Sequence, residues 1–262
     1  MNQGLKINRL TAGYAKHPVI ENLDVKSLLR GQITVLLGPN GSGKSTLLRS
    51  LAGLNKARGE LLLNGQDLMQ MNFAQRAQGV VYLPQSLPEG VHLHVLESVI
   101  VAQRASGGVS SKQCENEVME LLRQLGIEHL ALSYLDQLSG GQKQLVGLAQ
   151  SLIRKPTLLL LDEPLSALDL NYQYHVMDLV ARETRRRNII TIIVVHDINI
   201  ALRHGDHVLM LKKGELIAEG TPEQVITSDS LAQVYGVKGR IEHCSQGVPQ
   251  VLIDGLVTEL AN

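Results

Sequence analysis

Tryptophan is absent from this chain of 262 residues, phenylalanine occurs once, and aromatic residues make up 3% of the total. Contacts with any protein partner must therefore lean on aliphatic side chains. Neither sign of charge predominates, with 25 Lys and Arg against 25 Asp and Glu. A neutral chain lacks the long-range attraction to phosphate backbones on which dedicated nucleic-acid binders rely, so no nucleic-acid partner is expected. The one dense basic run, Arg185-Arg186-Arg187, closes a helical pattern and reads as a solvated helix end, where cations complement the dipole. The two cysteines, Cys114 and Cys244, form no CxxC pair and imply no disulfide framework. No apolar run approaches the ~20 residues that a membrane-spanning helix needs. The start, MNQGLKINRL, has neither the charged-then-apolar sequence nor the cleavage site of a secretory signal.

What the chain does contain is an alternation of short β-branched runs with helical patterns. Ile33 to Leu37, Val80 to Leu83, Thr157 to Leu161, Ile189 to Val195 and His207 to Leu211 read as strands buried on both faces. Tyr172, His175, Val176, Leu179 and Val180 form a helical stripe that packs on a sheet. The expected fold is α/β with parallel strands. From about Ser86 to Leu138 the pattern changes to helical candidates, His94 to Arg104 and Lys112 to Leu125, broken at Gly107-Gly108, with Ser110 and Gln113 as a capping box. That stretch is read as an inserted helical subdomain. Thr221-Pro222-Glu223-Gln224 signals one more short helix near the end.

Gly38-Pro39-Asn40-Gly41-Ser42-Gly43-Lys44-Ser45-Thr46 fits GxxxxGK[ST] between a strand and the helical run Leu47 to Leu54. Glycines let backbone N–H groups curl around phosphate oxygens, Lys44 reaches the outer phosphates, and Ser45 offers a ligand for Mg²⁺. Thr157 to Glu163 is an apolar strand ending in two carboxylates. Asp162 can hold Mg²⁺ and Glu163 can polarise an attacking water. Ser139-Gly140-Gly141-Gln142 is a second glycine-rich turn opening a helix, and so a second anion-binding device. Two such devices for one carboxylate pair make sense if each nucleotide is shared between two molecules.

With LSGGQ lying shortly before LLLLDEP and GPNGSGKST upstream, the chain resembles the nucleotide-binding subunit of ATP-binding cassette (ABC) transporters over essentially its whole length. The resemblance implies a cassette with a RecA-like core, an antiparallel β subdomain and an inserted α-helical subdomain. Residues 1–85 and 139–262 would form the core with the β subdomain, and about 86–138 the helical part. It implies further that Tyr14 stacks on adenine, with poor base selectivity, and that Gln85 contacts Mg²⁺ and the attacking water. Ser166-Ala167-Leu168-Asp169 would speak across the interface to a second cassette, and His196, ahead of an N-capping Asp197, would sense the γ-phosphate. The chain departs from many members where Leu145 and Gln150 stand at positions that are often basic. The pairs His92/His94 and His204/His207 gather no further ligands and are assigned no metal.

A homodimer sandwiching two ATP molecules with Mg²⁺ follows from the resemblance, acting on separate polytopic permease subunits at the cytoplasmic face of the inner membrane, together with a substrate-binding protein. The short tail after GTPEQVITSDSLAQVYGV, and the texture of LSALDLNYQ and HDINIALR, are similar to importers of ferric siderophores, haem and vitamin B12, the siderophore members above all. Other readings are the ATPase of another importer or of an exporter, a soluble ABC ATPase acting on ribosomes or DNA, and a P-loop kinase. The soluble reading calls for two cassettes, a long coiled coil or a basic surface; the kinase has no use for LSGGQ.

Overall fold

The computed structural model describes residues 4–14, 17–86, 92–105 and 112–257. The described chain begins with β1 (Leu5–Tyr14), β2 (His17–Leu28), β3 (Ile33–Leu37), α1 (Lys44–Leu51), β4 (Ala57–Leu63) and β5 (Gln66–Asp67). Then come α2 (Phe73–Gly79), β6 (Val80–Leu83), α3 (Val95–Ala105), α4 (Lys112–Gln124), α5 (Gly140–Ile153) and β7 (Leu158–Leu161). α6 (Leu170–Arg187), β8 (Ile190–Val194), α7 (Ile198–His204), β9 (His207–Lys212) and β10 (Glu215–Gly220) follow. The short helices α8 (Pro222–Val225) and α9 (Ser228–Tyr235) precede a hairpin, β11 (Val237–His243) and β12 (Pro249–Leu256).

The central sheet has the order β10-β9-β3-β8-β7-β6, parallel from β9 to β6, with β10 antiparallel at the edge. Its five parallel strands are the five apolar runs expected from the sequence, to within a residue at each end. They are buried on both faces, and successive residues report to different layers. Ile33, Val35, Leu37, Val81, Leu159, Leu161, Ile193, Val208 and Met210 pack with helices α3 to α7. Leu36, Val80, Leu158, Leu160, Ile192, Leu209 and Leu211 pack instead with α1 and with the second sheet, β2-β1-β4-β5. That second sheet is antiparallel throughout.

Between residues 92 and 138 the described backbone forms α3, α4 and two short 3-10 turns, with the isolated bridge His94↔Tyr134 as its only β pairing. Val118, Leu121, Leu122 and Leu125 are buried, as their spacing requires of an apolar helix face. The Ser110 cap and the Gly107-Gly108 break fall outside the described residues. His92 and His94 stack on the two sides of Tyr134, with ring centroids 4.0 and 4.3 Å away.

Three details refine the sequence reading. The basic run that ends α6 is not uniformly solvated: Glu183, 2% exposed, pairs with Arg186 at 2.7 Å and with Arg187 at 2.6 Å. Arg187 also donates to the Leu152 carbonyl at 2.9 Å and so ties α6 to α5. On the stripe of α6, His175 is exposed and bonds the Gln124 carbonyl, while Met177 is buried in its place. Leu145 is buried within the α5 layer, so an apolar residue there serves the core.

Candidate active site

Four parallel strands deliver their C-terminal ends to one edge, the usual place for ligands in an open α/β sheet. β3 runs into Gly38, β6 into Pro84-Gln85, β7 into Asp162-Glu163 and β8 into Val195-His196. A cleft of about 490 Å³ opens there, lined by Val19, the loop from Asn40 to Thr46, Gln85, Glu163 and His196. Segments far apart in sequence thus meet in one place.

The loop takes its shape from glycine. Gly38 has φ +147, and a Cβ there would lie 2.2 Å from the Leu211 carbonyl oxygen, so only glycine passes. Gly43, at φ +101, is the N-cap of α1 and brings no side chain to that helix end. The first-turn N–H groups of α1 are therefore left for an anion. Lys44 is buried, and its ammonium donates to the carbonyls of Gly38 at 2.7 Å and Pro39 at 3.0 Å. Burial lowers its pKa, and the nearby Glu163 and Asp162 carboxylates oppose that shift. At the far end of α1 the buried Arg76 guanidinium donates to the Ser50 carbonyl at 3.1 Å and fixes the helix from below.

Asp162 is 3% exposed and accepts from Ser45 Oγ at 3.1 Å and from Tyr82 Oη at 2.9 Å. Burial raises its pKa, and the two hydroxyl donors work against that rise. Glu163 stands beside it with its carboxylate divided between two partners. Gln85 Nε2 donates to Oε2 at 2.7 Å, and His196 Nε2 lies 2.8 Å from Oε1. A carboxylate held from both sides at the mouth of a phosphate loop can take a proton from water. Ser45, Asp162 and the Gln85 carbonyl make a hard oxygen set that suits Mg²⁺. Among the described residues no group of three or more His, Cys, Asp or Glu gathers as a metal site.

Ser139 to Gln142 do not line this cleft. Ser139 caps α5 instead, accepting from Gln142 N at 3.3 Å while the Gln142 side chain accepts from Ser139 N at 2.9 Å. Ser139 and Gly140 are exposed, and Gly141 presses on its own chain, where a Cβ would lie 2.7 Å from the Ala167 carbonyl. Asp169 caps α6 through Tyr172 N at 3.0 Å. Asp197 caps α7, accepting from Asn199 N at 2.7 Å. Tyr14 ends β1, and its side chain lies outside the described set.

Three residues that the sequence reading passed over support the site. Tyr82 holds Asp162 from within β6. Tyr235, at the end of α9, meets the backbone of Gly38, and burial pushes its hydroxyl pKa up to about 12. Gln144, buried in the second turn of α5, donates to the Ser166 hydroxyl and accepts from the Ala167 N–H. A Tyr in an apolar strand, or a Gln in a helix, gives no sign of such a role in sequence.

A parallel sheet with a phosphate loop and a carboxylate pair at one edge defines a nucleoside-triphosphate hydrolase. The chain belongs to the ABC transporter family, whose model matches residues 21–166, more than half of its length. It is 38% identical over 236 residues to the achromobactin transport ATP-binding protein of Dickeya dadantii, covering 88% of this chain and 87% of that one. It is 34% identical over 255 residues to a hemin import ATP-binding protein of Plesiomonas shigelloides, covering 90% and 95%. Among solved structures it is similar to a dimeric ATP-binding cassette in a post-hydrolysis state bound to ADP and phosphate, with TM-score 0.75 and 27% identity over 83% of this chain and 98% of that one. The α/β fold is that of an ABC cassette, and the chain is an ATPase. No helix among the described residues is long and apolar enough to cross a membrane.

Proposed function

We propose that this chain energises the import of a ferric siderophore or a related iron chelate, by hydrolysing ATP while docked on separate polytopic permease subunits at the cytoplasmic face of the inner membrane. The cargo rests on the siderophore and hemin relatives. The observation that carries the ATPase chemistry is the convergence of Gln85 and His196 on Glu163, at 2.7 and 2.8 Å, in the cleft that Lys44 also lines. A substrate-binding protein outside the membrane would complete the importer.

In this reading the N–H groups of the Gly38 to Thr46 loop cradle the phosphates, Lys44 meets the outer ones, and Tyr14 stacks on the base. Ser45, Asp162 and Gln85 hold Mg²⁺, which when bound neutralises phosphate charge. Glu163 orients and deprotonates the attacking water, and His196 donates from its ring to hold the carboxylate and the γ-phosphate in register. Catalysis is then positioning plus electrostatic stabilisation. The turn at Ser139 to Gln142 does not line its own cleft, which supports a head-to-tail pair of chains in which each turn, with Asp169, completes the partner's site. Two ATP molecules would join the pair, and hydrolysis would remove the bridging γ-phosphate and release it. Residues from about 86 to 138 would act as the helical unit beside Gln85 that grips the permease, with 1–85 and 139–262 as core.

Glu163→Gln keeps the shape of the carboxylate and removes its basicity, so it should bind ATP, lose turnover by about 10²–10⁴-fold and accumulate as a closed pair. Purified from gently solubilised membranes with ATP present, this variant should bring down a multi-spanning permease, and cells lacking the chain should fail to take up radiolabelled ferric chelates. Recovery of ribosomes or DNA instead, or unchanged uptake, would defeat the transport assignment.

A further inference from the structure

Glu163 stands in a backbone conformation that a glutamate seldom adopts, with φ +53. A side chain in the left-handed region is under strain unless its surroundings hold it there. The direction of the Glu163 carboxylate depends on this twist, because the turn lifts the residue off the end of β7 toward Gln85 and His196. Whatever fixes its carbonyl therefore aims its carboxylate.

The Glu163 carbonyl is held by Ser166, whose backbone N–H donates at 3.3 Å and whose Oγ donates at 3.1 Å. The hydroxyl has one proton, and its direction is decided by Gln144. Gln144 Nε2 lies 2.8 Å from Ser166 Oγ, and an amide nitrogen can only donate. Ser166 Oγ must accept from Gln144, which leaves its own proton for the Glu163 carbonyl. The other end of the same amide, Oε1, accepts from Ala167 N at 3.1 Å, which fixes the orientation of the Gln144 amide. Gln144 is 9% exposed, and its Nε2 also comes within 3.5 Å of the Glu163 carbonyl.

We propose that Gln144 is a positioning residue for ATP hydrolysis: by orienting the Ser166 hydroxyl toward the Glu163 carbonyl it holds the turn that aims the Glu163 carboxylate. This rests on Glu163 being the group that activates water. Because Gln144 lies on the helix that begins at Ser139, and Gly141 of that helix touches Ala167, the glycine-rich turn and the aim of Glu163 move as one body. A shift of the Ser139 turn, such as engagement by a second chain, would reach the carboxylate through this amide.

The discriminating variant is Gln144→Glu, which preserves size and the acceptor for Ala167 N but presents only acceptors. It draws the Ser166 proton to itself and away from the Glu163 carbonyl. With the full-length chain and Mg-ATP, Gln144→Glu and Ser166→Ala should each lower kcat about tenfold or more and leave the KM for ATP within twofold. The double variant should be no worse than the poorer single one, since both break one relay. A kcat within twofold of the unmodified chain for Gln144→Glu, or losses that multiply in the double variant, would overturn the proposal. Should Gln144→Glu fail to fold, Ser166→Ala alone decides it through the same split between kcat and KM. Glu163→Gln measured alongside separates the two levels. If it keeps its turnover, the role of Glu163 is wrong; if it loses turnover while Gln144→Glu does not, only the positioning role is.

Discussion

Gly214 donates its backbone N–H to the carbonyl of Ser42 at 3.0 Å, so the tight turn between β9 and β10 props the phosphate loop from beneath. The fit leaves no room: Gly214 has φ +84, and a Cβ there would sit 1.8 Å from the Val19 carbonyl oxygen. Gly65, between β4 and β5, has the same φ of +84 with nothing within 4 Å. The two turns share a backbone shape and differ in their surroundings.

That pair separates backbone strain from collision. Gly65→Ala should cost about 1–2 kcal/mol, roughly 2–8 °C in Tm for a chain of this size, and leave ATP affinity alone. Gly214→Ala should lower Tm by at least twice as much and weaken ATP binding as well, because Val19 and Ser42 must both shift. Thermal melts and equilibrium nucleotide binding on the two variants check this; equal effects would mean that the Val19 contact is readily relieved.

Lys44→Ala removes a buried cation whose hydrogen bonds hold the carbonyls of Gly38 and Pro39. Loss of charge-assisted bonds to phosphate should weaken ATP binding by about 10–100-fold, from the ~1.5–3 kcal/mol of such bonds. Isothermal titration with ATP measures it, and unchanged affinity would contradict the phosphate-loop reading.

Asp162→Asn should make the nucleotide-free chain more stable near neutral pH while abolishing turnover. Burial raises the Asp162 pKa in the folded state, so the folded chain binds this proton more tightly than the unfolded one does. The ionised group therefore works against folding at neutral pH, and stability from this group returns as pH falls through its folded pKa. A neutral amide removes the penalty. A lower Tm for Asp162→Asn would show that the bonds from Ser45 and Tyr82 outweigh the cost of burying the charge.

His204 and His207 should make the fold sensitive to mild acid. Burial lowers both pKa values below the ordinary 6.5; Asp178 opposes the shift at His204, where Arg203 and Arg185 reinforce it. Glu219 opposes it at His207, where Lys26 reinforces it. The unfolded chain then binds more protons just below pH 6.5, so stability is present above that pH and lost as pH falls from it toward the folded pKa values. Tm measured from pH 8 to 5 should fall more steeply for the unmodified chain than for His204→Phe. Parallel curves would remove His204 from the account.

The parallel strands were legible because strands buried on both faces are nearly continuous apolar runs, as in Ile33 to Leu37, interrupted only by Thr34, and Leu158 to Leu161. The loop residues were legible because phosphate cradling needs particular glycines and one lysine at fixed spacing. The antiparallel strands β1 and β2 were harder to place from residues alone. Their alternation is broken by register shifts, and Arg9 and Asn22 both have positive φ. The hairpin β11–β12 was read only as a short tail; it is pinned to α7 by Asn199, whose Oδ1 accepts from Val251 N at 2.7 Å. The left-handed turn at Glu163 and the amide of Gln144 leave no mark in sequence, since both depend on which loops meet in space.

The division of the central sheet between two cores carries one more consequence. Along β9, Val208 and Met210 answer to the helical layer, while Leu209 and Leu211 answer to α1 and the antiparallel sheet. In β7 the same split separates Leu159 and Leu161 from Leu158 and Leu160. Adjacent codons therefore encode membership of different neighbourhoods. Damage at one position loosens the phosphate-loop side, and damage at the next loosens the side that holds α5. A saturation scan read strand by strand would resolve into two interleaved series of tolerances, each tracking its own layer rather than its neighbours in the chain.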